Sequence, residues 1–391
     1  MKNAVKSIYV IAGEASGDLL GGRLLKTLHE KMDGQVQFFG VGGDTMQEAG
    51  LKSLFPMTDL SVMGFTEILP KLPLLMRRLK ETEQHIKIQR PDALITIDAP
   101  GFNFRLAKKL QKHPFPIIHY VAPSVWAYHK ERAKKCAAFL DHLLTLLPFE
   151  PPYFTEHNLS ATFVGHSILE SGADQADGER FRQKHKIDPS IPLIGILPGS
   201  RVMEINRLAP IFAKSFEKLS YFYPQAKAIV PCLPHLTPQI KQIFRRELGM
   251  LYDQVVFVKY FSQKYDAMAA CNVAIAASGT VTLELALAKV PMVVAYRLNP
   301  LTAMLAKRVL TLDYVTIVNI LQNKEIIPEF LQENCTADNI ALSVESILKN
   351  PKKALQQLEQ TEVSLKMLRA DGANPSEKAA DAILGVLGKV Y

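Results

Sequence analysis

Twice in this chain a short apolar run ends in a glycine turn that leads into the start of a helix. Ile8-Tyr9-Val10-Ile11-Ala12 runs into Gly13-Glu14-Ala15-Ser16-Gly17-Asp18, and Leu193-Ile194-Gly195-Ile196-Leu197 runs into Pro198-Gly199-Ser200-Arg201. A junction of this kind opens a βα unit of a parallel sheet, so two of them far apart predict two α/β halves with a cleft between them. With 391 residues, 48% of them hydrophobic, the chain can bury two separate cores.

The segments between the junctions fit parallel sheets with crossover helices. In the first half, 36–39, 93–97, 116–121 and 143–147 read as strands, and 19–32 and 104–112 carry helical spacing. In the second half, strands are expected at 193–197, 226–230, 255–258, 273–276 and 291–295, with a mostly helical stretch from Ala337 to Tyr391. The polar segment 171–192, with Gly172, Gly178 and Pro189, reads as the interdomain passage. The expected organisation is therefore a first domain over 1–170, a second over 193–350, and final helices over 351–391.

Composition narrows the function. The cysteines at 136, 232, 271 and 335 lie far apart with no C-x-x-C, against a disulfide framework or zinc ribbon and in favour of a reducing cytoplasm. The apolar run near the start ends at Gly13, too short for a signal-peptide core or a membrane span. A formal charge of +8 calls for an anionic partner, but the basic clusters at 71–80 and 130–135 lack the aromatic ladder or zinc spacing of a nucleic-acid module, so none is expected. The histidines show no paired ligand spacing, which implies neither metal nor metal cofactor.

Several residues stand where chemistry is done. Asp98 follows the buried run 93–97, at the carboxyl edge of its sheet, where it reads either as a base for an attacking hydroxyl or as a helix cap or turn-former before Pro100. Ser200 and Arg201 sit at a helix start, where an arginine opposes the helix dipole and an anionic ligand reverses that penalty. Ser278-Gly279-Thr280 forms a second anion cradle, and Glu284 beyond it lacks the Ser or Thr at 281 that a capping box needs, which favours a ribose contact. Trp126, in a proline-flanked segment, is core or cleft wall. Residues 61–80 mix bulky apolar side chains, including Phe65, Leu69, Leu72, Leu75 and Met76, with cations and with prolines at 70 and 73. That pattern suits a surface loop or short helix touching lipid, or else core.

With these residues in view the chain resembles the lipid-A-disaccharide synthase family, inverting glycosyltransferases of the GT-B fold, in which two Rossmann-like domains face a cleft. The resemblance rests on Gly13 to Asp18, Gly40-Val41-Gly42-Gly43, Ile97-Asp98-Ala99-Pro100, Pro123 to Ala127, Leu197 to Arg201, Ala277 to Thr280 with Glu284, and Val318-Asn319-Ile320-Leu321. Their order and spacing, rather than any one of them, are specific. The resemblance implies transfer of 2,3-diacylglucosamine from UDP to 2,3-diacylglucosamine 1-phosphate, giving a β-1,6 disaccharide 1-phosphate and UDP. It implies Asp98 as base, and Ser200, Arg201, Ser278, Gly279, Thr280, Glu284 and Asn319 around UDP. Glu14, Ser16, Asp18 and Trp126 would line the acceptor side. The segment Val62 to Leu79, with Phe65, Leu69, Leu72, Leu75 and Met76 beside the cations Lys71, Arg77, Arg78 and Lys80, would form the acyl and membrane face, and the final helices over 351–391 would cross back to the first domain. It further implies a cytoplasmic enzyme held peripherally at the anionic inner membrane of a Gram-negative bacterium, needing no cofactor, with a homodimer open as its assembly. Gly101, Ser167, Ala122 and Tyr128 depart from the usual Asp, Pro, Ser and Trp of the family's motifs, changes that bear on acceptor fit more than on the reaction. The rivals are a UDP-sugar epimerase, a transferase for a soluble acceptor, and a non-catalytic binder of lipid or nucleotide sugar.

Overall fold

A computed structural model describes residues 5–60, 65–127, 131–299 and 313–389, without the side chains of 65–69, 260–262 and 389. The chain divides into two compact units, Met1–Ser167 with Leu368–Tyr391, and Ile168–Met367.

The first unit is a seven-stranded sheet of β1 (Lys6–Ala12), β2 (Val36–Val41), β3 (Leu51–Ser53), β4 (Ala93–Ile97), β5 (Ile117–Tyr120), β6 (His142–Thr145) and β7 (Ser160–Phe163). All neighbours are parallel, in the order β3-β2-β1-β4-β5-β6-β7. Both faces are covered. One carries α1 (Ala15–Lys31) and the last helix, Pro375–Lys389, whose Ala379, Ala380 and Ile383 join Leu20, Leu24 and Leu28 in one core. The small α2 (Asp44–Glu48) packs on that same side through Met46, while the other face carries α3 (Phe65–Gln89), α4 (Pro100–Leu110), α5 (Glu131–Ala137) and α6 (Pro151–Thr155), packed through Leu79, Ile86, Leu106 and Phe154. This two-sided burial is why β1 and β4 read as continuous apolar runs rather than alternating ones.

The second unit holds six parallel strands in the order β10-β9-β8-β11-β12-β13, namely β8 (Leu193–Leu197), β9 (Lys227–Cys232), β10 (Val255–Lys259), β11 (Val273–Ala277), β12 (Met292–Tyr296) and β13 (Glu329–Leu331). Its helices include α7 (Gly178–Lys184), α8 (Val202–Phe222), α9 (Thr237–Leu248), α10 (Tyr260–Ala269) and α11 (Val281–Leu287). Every strand expected from sequence is present within two residues at each end. The edge strands β3, β7 and β13, three or four residues each, are additions too short to show a period.

Three expectations need correction. The segment 171–192 is no bare passage: it contains α7, which is tied to α10 by Arg180 on Asp266 and by Arg182 on the Ala270 carbonyl and the Asn272 side chain. Of the final helices, Pro351–Met367 stays with the second unit because Gln357 bonds both backbone groups of Met292. Only the chain from Leu368 onward returns to the first unit. Residues 65–89 form one 25-residue helix through Pro70 and Pro73, rather than a loop or short helix. The prolines forgo two intrahelical hydrogen bonds near its start, and burial of Leu79, Thr82 and Ile86 further along holds the helix against that cost.

Candidate active site

In the first unit the chain adds strands outward from β1 through β2 to β3, then returns to the other side of β1 with β4. At such a reversal the loops leaving the two central strands part, and ligands bind outside the strand ends. Ala12 is in register with Ile97, so the Gly13–Asp18 and Asp98–Gly101 turns emerge side by side. They touch: a Cβ on Gly13 would lie 2.6 Å from Cβ of Ala99, so glycine is required there.

The Asp98 turn is strained. Asp98 and Ala99 both take positive φ, 49° and 44°, a left-handed conformation that costs a residue with a Cβ roughly 1–2 kcal/mol. The fold over-determines it. The Asp98 amide donates to the Tyr120 carbonyl at 2.9 Å, and fully buried Asn103 donates from Nδ2 to the carbonyls of Asp98 (2.8 Å) and Ile97 (3.2 Å). Helix α4 begins at Pro100, earlier than the expected 104, with Ala99 as its N-cap. The Asp98 carboxylate caps nothing and has no hydrogen-bond partner among the described residues. The cap reading of Asp98 is therefore gone.

Glu14 and Ser16 lie at the start of α1, half-buried and exposed respectively. Asp18 does not serve the acceptor side: it is buried, and its two oxygens accept the amides of Gly43 (2.7 Å), Thr45 (3.0 Å) and Met46 (3.1 Å), fastening the start of α2 to α1. Trp126 is partly exposed beyond β5, its Nε1 donating to Glu150 at 3.0 Å and its ring edge-on to Phe149. Glu150 is buried and also accepts the amides of Leu146 and Leu147, yet desolvation outweighs these donors and pushes its carboxyl up to about 7.

A cavity of about 220 Å³ opens beside the Asp98 turn, lined by Glu14, Leu75, Met76, Gly101 and Arg105 among others. It joins residues expected at the acceptor side to two expected on the acyl face. On α3, Leu79, Thr82 and Ile86 face the core while Leu72 and Met76 are exposed beside Arg77 and Lys80. Arg78, counted among the cations for a lipid surface, is otherwise engaged: it pairs with Asp59 and Glu81, both at 2.7 Å, and lies over the Phe55 ring. Phe65 and Leu69 belong to α3 with side chains outside the described residues, as Val62 to Gly64 and Tyr128 are altogether.

The second unit repeats the arrangement. Its chain runs β8, β9, β10 and returns beside β8 with β11, and Leu197 is in register with Ala276. The Pro198–Arg201 and Ser278–Thr280 turns thus leave adjacent strand ends. Gly199 takes φ 113°, and a Cβ there would meet Glu204 at 2.6 Å; Glu204 in turn accepts the Ser200 amide and stands 3.6 Å from the exposed Arg201 guanidinium. Ser278 donates from its hydroxyl to the Val315 carbonyl, and Gly279 and Thr280 are exposed.

Glu284 is buried on α11, and its Oε1 accepts Lys264 Nζ at 2.6 Å and Tyr265 Oη at 3.3 Å. Its Oε2 has no partner among the described residues. Burial holds the Lys264 ammonium below the ordinary lysine range, with Glu284 pulling the other way. Sequence reasoning missed Lys264, twenty positions away on another helix with no motif around it. Asn319 falls out of the site: it is fully buried, Nδ2 donates to Ile327 O and Glu329, and Oδ1 accepts the amides of Ile326 and Ile327, so no capacity is left for a ligand.

Comparison with known proteins bears on the whole chain. The sequence profile of the lipid-A-disaccharide synthetase family matches residues 8–383. The lipid-A-disaccharide synthase of Rhodospirillum centenum is 46% identical over 98% of this chain and 95% of its own, and that of Gluconobacter oxydans 42% over 98% and 91%. Among solved structures, a putative UDP-N-acetylglucosamine 2-epimerase from Listeria monocytogenes superposes with a TM-score of 0.66 over 99% of this chain and 96% of its own. At 11% identity that likeness speaks to the fold alone.

Proposed function

The chain belongs to the lipid-A-disaccharide synthetase family, and from that membership we propose how its two switch points divide the reaction. The enzyme is a glycosyltransferase that passes 2,3-diacylglucosamine from UDP to 2,3-diacylglucosamine 1-phosphate, giving the β-1,6 disaccharide 1-phosphate and UDP. The first unit takes the acceptor. Asp98 accepts the proton of its 6-hydroxyl as that oxygen attacks the donor anomeric carbon, the configuration inverts, and UDP leaves. The observation that carries this reading is an unengaged carboxylate on a strained turn at a switch point. A fold holds such strain only where surrounding contacts over-determine it, and the shape it fixes presents the base.

The second unit takes UDP. Arg201, Ser200 and the Ser278–Thr280 turn stabilise the charge that grows on the departing diphosphate. Glu284, oriented through one oxygen by Lys264, offers the other to the ribose hydroxyls. The exposed Leu72 and Met76 with Arg77 and Lys80 form a lipid-facing stripe, so the enzyme works as a peripheral protein at an anionic bilayer; no described helix is long and apolar enough to cross one.

The test is to incubate the purified protein with the diacylated UDP-sugar and the diacylglucosamine 1-phosphate and look for the disaccharide. Asp98→Asn should lower turnover by about 10²–10⁴-fold with UDP affinity unchanged. Near wild-type turnover in that variant would remove Asp98 from the mechanism.

A further inference from the structure

The cavity beside Asp98 has an apolar wall and one cation that the fold does not use. Leu60, Leu79 and Phe102 close its floor, Leu75 and Met76 its side. Arg105 stands on α4 at its rim, exposed, with no ion pair or hydrogen bond among the described residues. Its neighbours on the same helix are engaged: Lys109 pairs with Glu83 at 3.2 Å, and Lys108 lies 5.3 Å from the centre of the Phe139 ring. A guanidinium left free beside an apolar pocket suits a ligand that is both lipidic and anionic.

We propose that Arg105 binds the 1-phosphate of the acceptor and is the residue that makes the enzyme select a phosphorylated one, an inference that rests on the acceptor site proposed above. The acceptor carries its reacting hydroxyl on carbon 6, borne by carbon 5, and its phosphate on carbon 1, so the two groups flank the ring oxygen, and its acyl chains leave another edge of the ring at carbons 2 and 3. The protein offers a counterpart to each group. Asp98 is at the head of the turn, and Arg105 lies five residues beyond Pro100, about 7.5 Å along the helix axis, the scale of one pyranose ring. The apolar wall lies between α4 and α3. At about 220 Å³ the cavity is smaller than the 300 Å³ or more of a pocket that encloses a whole ligand, so it takes the proximal part of an acyl chain and leaves the remainder to the exposed stripe of α3. Glu14, on the same lining, repels a phosphate from its own side and so favours the orientation with carbon 1 toward Arg105. Arg105 binds here and takes no part in bond making.

The experiment compares wild type, Arg105→Ala and Arg105→Lys with the diacylated UDP-sugar as donor and two acceptors, the diacylglucosamine 1-phosphate and the same lipid without phosphate. Wild type should prefer the phosphorylated acceptor. Arg105→Ala should raise the KM of that acceptor roughly 10- to 100-fold, the worth of hydrogen bonds to a charged group, with donor KM and kcat little changed. Its preference between the acceptors should collapse, and Arg105→Lys should restore part of it. Calorimetric UDP affinity, unaltered in both variants, verifies the fold. An alanine variant that keeps the wild-type preference overturns the role of Arg105 and leaves the reaction standing. A wild type that forms no disaccharide from either acceptor overturns the functional reading and this inference with it.

Discussion

Gly13→Ala puts a methyl where the two turns of the first unit meet. The new Cβ would stand 2.6 Å from that of Ala99, about an ångström inside the ordinary carbon–carbon contact of about 3.5–4.0 Å. Neither side can yield cheaply, because Gly13 continues a central strand and Ala99 is held at φ 44° between Asp98 and the start of α4. Overpacking of this kind costs about 1–3 kcal/mol. Ala99→Gly removes the obstructing methyl and relieves roughly 1 kcal/mol of left-handed strain, a gain that the larger entropy of an unfolded glycine about cancels. The single Ala99→Gly variant should therefore be near neutral, and the double variant should recover most of what Gly13→Ala loses. The readout is at hand: the chain's one tryptophan, Trp126, lies in the first unit, so its fluorescence in a urea titration follows that unit. A coupling of 1–3 kcal/mol is expected where independent sites would add within about 0.5 kcal/mol, and turnover lost in Gly13→Ala should return in the double variant. Additive losses would show that the two turns do not constrain one another, and the account of how Asp98 is held would fail.

In the second unit, Glu284→Ala should weaken binding of both UDP and uridine, whereas Arg201→Ala should weaken UDP and hardly touch uridine; equal losses for both ligands in calorimetry would refute the division between ribose and diphosphate. Lys264→Met should follow the Glu284 pattern, because it leaves a buried carboxylate unpaired. Leu72→Ser with Met76→Ser should reduce flotation with anionic liposomes while preserving UDP binding, and unfolding of that variant would assign these side chains to the core instead. The Glu150 carboxyl, raised from 4.5 to about 7, favours its protonated form in the folded state. The contribution is present at pH below 4.5 and is lost as pH climbs through about 7, on the order of 3 kcal/mol in all. Wild type should thus lose stability against Glu150→Gln across that window, followed by Trp126 fluorescence, and a pH-independent difference would contradict the raised value.

The chain's own order of residues determined the parts whose signals are local. An apolar run, a glycine and a helix start lie within a dozen neighbours, so β1 with α1, β8 with α8, and the positions of Asp98, Arg201 and Glu284 at strand or helix ends were legible without coordinates. Tertiary structure alone decided which turns stand together, since the register of Ala12 on Ile97 and of Leu197 on Ala276 joins segments that the sequence separates. It also decided which polar groups remain free. Asp18, Asn319 and Arg78 have the composition of ligand-binding residues, but each is consumed by amides, carbonyls or carboxylates brought to it by the fold, while the side chains of Asp98 and Arg105 have no such partner among the described residues. A motif records that a hydrogen-bonding group exists; what that group has left to offer depends on every buried partner within about 3 Å of it, and those partners come from anywhere in the chain.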